Sequence, residues 1–447
     1  MNYREVAQDL LERAAGRGAS GAEVIVVEDE AFSVQVRMRT VDTLKSARGK
    51  RLGLRLCFGP RSATTATSDL SPESLQRLLE DTVAMAQATE EDPFGGLPEA
   101  EAFSTDVPDL DLWDAEAASL PMEDRIALAT AAEAAALDFD PRIANSEGAE
   151  YGHRDGRIVF ANSHGFTGEY RGSSVALFVS PIAKDNGCMQ RDGWYSVQRR
   201  LRKLESPEAV GRTAARRALR RLGARKISTQ QAPVVFDPDM AASLLGSLCN
   251  AVSGSAIYRA ASFLVDKLGR QVAASGLTVT DDGRLMGMLG SRPFDGEGLP
   301  TRRTVVIQDG VLQGYLLDTY TGRKLGLPST GNASRGAGQR PTVGPTNFCI
   351  APGPHSPEAI IRSVGQGLYV TEMIGFGVNL VTGDYSRGAA GIWIEQGELA
   401  YPVEEITIAG NLKDMLQEIE MIGSDLEWRG PIAAPTLKIA RMTVAGH

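Results

Sequence analysis

Three stretches near the start of the chain, AEVIVVE, FSVQVRM and RLGLRLCF (residues 22–28, 32–38 and 51–58), alternate apolar and polar side chains at a period of two. Only an extended strand sends every second residue to the same face, so these segments predict an antiparallel meander of half-buried strands. In the third, Leu52, Leu54, Leu56 and Phe58 point one way and Cys57 the other. Helical patterns flank the strands. Val6, Leu10, Leu11 and Ala14 share one face of MNYREVAQDLLERA, and SPESLQRLLEDTVAMAQAT starts with Ser71 as N-cap and Pro72 in the first turn. The unit expected over 1–92 is an α+β domain, a sandwich-like layer with one sheet and helices on one face.

Residues 93–118 are rich in Pro, Gly and acids with little periodicity, and read as a linker or surface excursion. A central antiparallel α+β domain follows over 119–226. It opens with the helix PMEDRIALATAAEAAAL and closes with SPEAVGRTAARRALRRLGA, capped by Ser206 and stopped near Gly223. Between them Asp155-Gly156 and Asn186-Gly187 are hairpin dipeptides. From 227 to 447 the chain is Gly-rich and strand-rich, a large C-terminal domain expected to enclose a cavity. Ser-Pro-Glu opens a helix three times; no fixed period links the copies, so the triplet is helix-start chemistry and not a repeat.

The formal net charge of -9 would repel nucleic acid and anionic lipid. No run of about 18 apolar residues marks a membrane span, and no apolar h-region marks a signal peptide. Cys57, Cys188, Cys249 and Cys349 are scattered without CxxC spacing, which fits a reducing cytoplasm.

Several motifs fail their structural context. GRGASG (16–21) satisfies G-x-G-x-x-G, but a helix precedes it and a strand follows, the reverse of what a dinucleotide requires. The run RRALRRLGARK, with Arg212, Arg216 and Arg220 on one edge and Arg217 and Arg221 beside it, reads as a solvated helix face. His153 in an expected hairpin turn, His164, His355 and His447 have no helical i, i+3 or i+4 spacing, and a metal site is not expected from them. No Ser or Cys has a neighbouring His to activate it, and no G-x-S-x-G elbow occurs. VVFDPDMAASLLGSLCNAVSG (234–254) is a strand, a turn and a helix that buries Leu245, Leu248, Cys249 and Val252. Beside that face runs a small stripe, Gly246, Asn250 and Gly254, permitting close approach of another backbone.

Two long segments, LPTRRTVVIQDGVLQGYLLDTYTGRKLGLPSTGNASR (299–335) and GFGVNLVTGDYSRGAAGIWIEQGELAYPVEEITIAGNLKDML (375–416), resemble the TldD/PmbA family of peptidase-related proteins. IANSEGAEYGHRDG and ANSHGFTGEYRGSS are weaker echoes, and the likeness spans nearly the whole chain in the family's three-part order. In one branch of that family the helix after the strand opening the third domain carries HExxxH. Its two His and a Cys near the carboxyl end hold zinc, with the Glu as general base. The matching positions here are Gly246, Ser247 and Ala251, and the last cysteine is Cys349, so the resemblance is to the PmbA branch, often called TldE. Glycine and alanine cannot ligate, and a serine without a base cannot replace the glutamate.

The resemblance implies a cytoplasmic subunit with no catalytic or metal residues and no cofactor of its own, inactive without its partner. That partner is an HExxxH-bearing TldD-like subunit holding zinc, in a heterodimer acting on unfolded peptides in maturation or degradation; in isolation a homodimer is implied. The chain would complete the substrate chamber and stabilise the catalytic subunit. An extended peptide is expected to add to a sheet edge near MIGFGVNLVTGDYSRG, with Gly375 and Gly377 allowing close approach and Asn379, Asp384 and Arg387 giving polar contacts. Asn332 and Arg335 in STGNASR are candidates of the same kind. Turn and bulge duty is the competing reading for these residues. Two alternatives stand beside the subunit: a stand-alone peptide-binding or scaffold protein, and an active peptidase whose metal site joins His153, His164 or His355 with acids.

Overall fold

A computed structural model describes residues 2–104 and 106–446. Helix α1 (Tyr3–Gly16) leads into strands β1 (Gly21–Arg37), β2 (Thr40–Phe58) and β3 (Arg61–Thr67), then helix α2 (Pro72–Ala88). After short α3 (Ala115–Ser119) and α4 (Met122–Leu137) come β4 (Ile143–Asn162), β5 (Thr167–Asp185), β6 (Cys188–Arg191), β7 (Trp194–Gln198) and helix α5 (Pro207–Leu219). The strands form one seven-stranded sheet ordered β3-β2-β1-β4-β5-β6, with β7 also on β5. The first and central parts of the chain therefore share a sheet: β1 pairs with β4 from Glu23↔Asn162 to Val36↔Ala149.

The long strands carry two apolar stretches with a charged one between them. Val24, Val26, Leu52, Leu54, Leu56 and Val159 pack under α1 and α2. Phe32, Val34, Val36, Tyr151, Val175 and Leu177 pack under α4 and α5. Even-numbered β1 residues line both cores, so the two helix pairs sit on one face. Between the pairs Glu28, Glu30, His153, Asp155, Arg157 and Glu169 line a polar cleft of about 410 Å³. That stretch explains two departures from expectation. AEVIVVE and FSVQVRM are halves of one strand, and Asp155-Gly156 lies within β4, where Asp155 faces Glu30 and Ser173 on its two neighbours. His153 is likewise mid-strand and buried, not in a turn. Asn186-Gly187 does make the β5–β6 hairpin, with φ of 47° and 84° as a type I′ turn requires. Ser71, Ser206 and Ser356 each accept from the backbone N–H three residues on, so all three Ser-Pro-Glu triplets start helices as read.

The C-terminal domain begins with β8 (Gln230–Phe236), α6 (Pro238–Ala251) and α7 (Gly254–Tyr258). Next come β9 (Val279–Asp282), β10 (Arg303–Gln308), β11 (Val311–Leu312), α8 (Thr319–Leu325), β12 (Ala333–Ser334), β13 (Thr342–Val343), β14 (Phe348–Ile350) and α9 (Pro357–Arg362). The chain ends with β15 (Gln366–Ile374), β16 (Asp384–Glu395), β17 (Glu398–Asn411), α10 (Leu412–Gln417), β18 (Ile419–Ile422), β19 (Ile432–Ala433) and β20 (Leu437–Ala445). One sheet runs β17-β16-β15-β8-β20-β18, and β17 also pairs with β20, closing five strands into a barrel. A second sheet, β11-β10-β9-β14-β19, lies against α6. Val234, Phe236, Leu368 and Val370 of the barrel join Leu244, Leu245 and Leu248 of α6 in one core.

The domains meet on the sheet face opposite the helices, where Ile25, Phe160 and Phe166 pack on Phe294 and Ala337. A Cβ at Gly53 would come within 2.6 Å of the Gly338 amide nitrogen, so only glycine allows this approach. The basic run of α5 serves a second contact. Arg212 and Arg216 are exposed, but Arg217 pairs with Asp192 and Asp237, Arg221 with Glu372, and Arg220 is largely withdrawn from solvent. The solvated-face reading is thus corrected for these three, which face the barrel domain.

Candidate functional site

Helix α6 starts at Asp237, whose carboxylate accepts from the Met240 amide at 2.9 Å, with Pro238 in the first turn. Leu245, Leu248, Cys249 and Val252 are buried as their spacing predicts. Gly246 and Ser247 are half-exposed, whereas Ala251 has no exposure and lies inside the core. Burial pushes the Cys249 thiol up to about 12, so it stays protonated and is no thiolate ligand. Among the described residues no three His, Cys, Asp or Glu side chains stand together so as to hold a metal ion. His153 Nε2 is buried without a partner in the first sheet, His164 Nδ1 contacts the Pro98 carbonyl at 3.1 Å, His355 pairs with Gly423, and His447 lies outside the described residues. Zinc does not fit the groups present on α6, and no step is derived through it. The small-residue stripe is tight only at Gly254, where a Cβ would meet Thr321 Oγ1 at 2.5 Å; the approach is by side chains, and Asn250 is exposed.

Arg387 of β16 reaches this helix, donating from Nη1 to Ser243 Oγ at 2.8 Å, while its buried Nε has no partner. The strands on either side of residues 375–383 are paired on both edges within the closed barrel. The expected free sheet edge is therefore absent here, because closure satisfies the main-chain groups a peptide would need. What protrudes is the β15–β16 connection. A Cβ at Gly377 would sit 1.8 Å from the Ser386 carbonyl oxygen, and Gly375 holds φ at 81°. Asn379 Oδ1 accepts from the Val381 and Thr382 amides. Asp384 accepts from Thr382 Oγ1 and Asn411 Nδ2, and these hydrogen bonds hold its carboxyl below the usual range. The loop carries three apolar side chains that sequence reading passed over: Ile374 is 61% exposed, Phe376 100% and Val381 54%. Only Phe376 carries a sequence signal, a hydrophobic residue between two glycines.

Asn332 and Arg335 lie elsewhere. Asn332 is buried and donates to Asp281 Oδ2 at 2.6 Å and to the Gly344 carbonyl. The Arg335 guanidinium enters the domain junction and donates to Glu23. The seven candidates therefore separate: 375–387 lie on the β15–β16 connection and β16, Asn332 lies inside the C-terminal domain, and Arg335 reaches the first sheet.

A cleft of about 420 Å³ lies at the N-terminal end of α6, lined by Tyr195, Arg217, Asp239, Met240 and Thr371–Met373. Arg429 stacks on Trp194 at 4.2 Å and pairs with Asp239, to which Tyr195 also donates at 3.4 Å. Burial outweighs the attraction of Arg217 and raises the Asp237 carboxyl to about 6.

Models of PmbA/TldA metallopeptidase domain 1, central domain and C-terminal domain match residues 22–86, 115–222 and 229–446 in turn. The chain belongs to the PmbA/TldD metallopeptidase family, as its carboxyl segments indicated. It is 41% identical to Metalloprotease PmbA of Escherichia coli over 443 residues, 99% of this chain and 96% of that protein. A crystal structure from Bacteroides thetaiotaomicron, described as a proposed modulator of DNA gyrase, superposes with a TM-score of 0.91 at 28% identity, covering 99% of each chain. TldE from Thermococcus kodakarensis shares the fold, with a TM-score of 0.87 at 20% identity over 99% of this chain and 100% of that one.

Proposed function

We propose that this chain is the non-catalytic member of a two-subunit cytoplasmic zinc metallopeptidase, pairing with an HExxxH-bearing TldD-like subunit and helping to form the chamber that admits unfolded peptides. The observation that carries this reading is α6 itself. It is capped, packed and complete as a helix, yet Gly246 and Ala251 have no side-chain atom that could ligate a metal, and the Ser247 hydroxyl is no base for a water. The projecting Phe376 loop, tied to the α6 side of the domain through the following Arg387, supplies apolar surface that a partner would cover. Gly375, Gly377, Asn379, Asp384 and Arg387 belong to that proposed contact with peptide or partner. Asn332 and Arg335 would act there only through the fold. No helix among the described residues is long and apolar enough to cross a membrane.

The test is reconstitution. The purified chain, a zinc-loaded HExxxH subunit and their mixture are each given an unstructured peptide, and zinc is measured in every sample. Cleavage confined to the mixture, with zinc only in the partner, supports the reading. Cleavage by the partner alone at the full rate, or by this chain alone, overturns it.

A further inference from the structure

On the back of the first sheet, where it meets the barrel domain, a cavity of about 310 Å³ opens between Arg55 of β2, Ser255 and Tyr258 of α7, Glu297, and Asp318 before α8. That volume is at the lower end of the ligand-holding range, roughly 300–1,000 Å³. Its depth is acidic: Glu297 and Asp318 are each only 2% exposed. Glu297 Oε2 accepts the Thr319 amide at 2.9 Å, while Oε1 accepts from no group among the described residues. Asp318 Oδ1 takes the Thr321 amide and hydroxyl, leaving Oδ2 without a donor. Neither oxygen is sealed from solvent, so both offer free acceptors to a polar guest in the cavity.

The neighbouring cation does not fill that role. Arg55 is committed to Glu23 at 3.3 Å and to the Gly96 carbonyl at 3.1 Å. The mouth has the opposite character, with exposed Arg259 and Arg340 and the rings of Tyr258 and Tyr320 in edge contact at 6.0 Å. From this polarity we infer that the cavity binds a small α-ammonium carboxylate, a free amino acid or a very short peptide. Its ammonium would lie between Glu297 and Asp318, and its carboxylate would meet Arg259 and Arg340. An ammonium brings three donors to the two open carboxyl oxygens, and aromatic faces at the entrance favour a cation's passage.

The proton balance agrees. Burial raises the Asp295 carboxyl too, against the amides of Glu297, Leu299 and Ala333 that favour its charge, whereas Glu297 has one amide donor. Burial, with Asp295, Asp318 and Glu23 nearby, pushes the Glu297 carboxyl well above the usual range. An ammonium beside Glu297 would favour its charged form and bring that carboxyl back down. The inference does not rest on the peptidase reading, since it is argued from the lining residues of this chain alone.

Isothermal titration calorimetry on the full chain alone tests it, with L-alanine, L-alanyl-L-alanine and N-acetyl-L-alanyl-L-alanine as probes. Saturable heat from either free amine and none from the acetylated dipeptide is expected, and which amine binds more tightly separates amino acid from peptide. Glu297→Gln keeps the acceptor for Thr319 and should weaken binding about tenfold or more, as loss of a charge-assisted hydrogen bond does. Ser255→Trp, which would fill the cavity from its α7 wall and leave both acids in the sequence, should abolish it and serves if the glutamine variant misfolds. Equal binding of the acetylated peptide, unchanged binding by either folded variant, or no saturable heat at millimolar probe would overturn the inference.

Discussion

Arg335 of the barrel domain donates from Nη1 to Glu23 of β1 at 2.8 Å, with both side chains almost wholly withdrawn from solvent at 2% and 0% exposure. The same Glu23 oxygen also faces Arg55 at 3.3 Å, and the Arg335 guanidinium lies 5.3 Å from the centre of the Phe160 ring. One carboxylate thus holds two arginines from opposite sides of the domain junction.

Removing one partner from such a group strands a buried charge. Arg335→Met is expected to lower the unfolding free energy by about 3 kcal/mol, at the low end for a broken buried pair because Arg55 remains on Glu23. Urea unfolding of Arg335→Met, Glu23→Gln and the double variant checks this. The two losses should be less than additive, and strict additivity would show that the residues do not interact.

Stability should also carry a pH signature from Asp237. Its carboxyl titrates at about 6 when folded against 3.8 as the reference value, so the native state keeps a proton the unfolded chain has released. Stability from this group is full below the lower value and falls as pH rises through the upper one, by about 3 kcal/mol in all. Asp237→Asn preserves the helix cap and removes the titration. Across that window the variant should gain on the natural chain in urea midpoints, and parallel curves would refute the assignment.

Rebuilding the lost motif should fail. Gly246→His, Ser247→Glu and Ala251→His together put an imidazole where Ala251 has no exposure, and overpacking of this kind costs about 1–3 kcal/mol. The triple variant should melt lower and still bind no stoichiometric zinc by elemental analysis, because the sequence has no cysteine beyond Cys349 to serve as the third ligand. Tight zinc binding would show the donor count to be wrong.

Phe376→Ser separates folding from assembly. A ring fully in solvent supports nothing within the chain, so the melting temperature of the isolated protein should be unchanged. Cleavage by the reconstituted mixture should fall if the loop meets the partner subunit. A variant as active as the natural chain in the mixture would remove the loop from the interface.

What could be read from the sequence was local. The cap at Ser71 depends on an amide three residues away, and the buried face of α6 on its own spacing, so neither needed distant knowledge. Asp155-Gly156 misled because its signal is also local, while the partners that keep it extended, Glu30 and Ser173, belong to other strands. Arg217 looked solvated because its counter-ions, Asp192 and Asp237, are supplied by tertiary structure. The barrel's closure rests on β17 meeting β20, which no window of residues reveals. The candidate polar residues divided for the same reason: the 375–384 set is held by short-range turns, while Arg335 answers to Glu23 more than three hundred positions earlier.

The pairing of β1 with β4 has a consequence for anyone handling this molecule in pieces. Family boundaries at 86 and 115 invite a cut between the first two modules, yet either fragment would then bare a long row of main-chain donors and acceptors along its central strand. Such fragments should stick to themselves or to each other. A nicked chain whose halves stay together would be the natural form in which to obtain them.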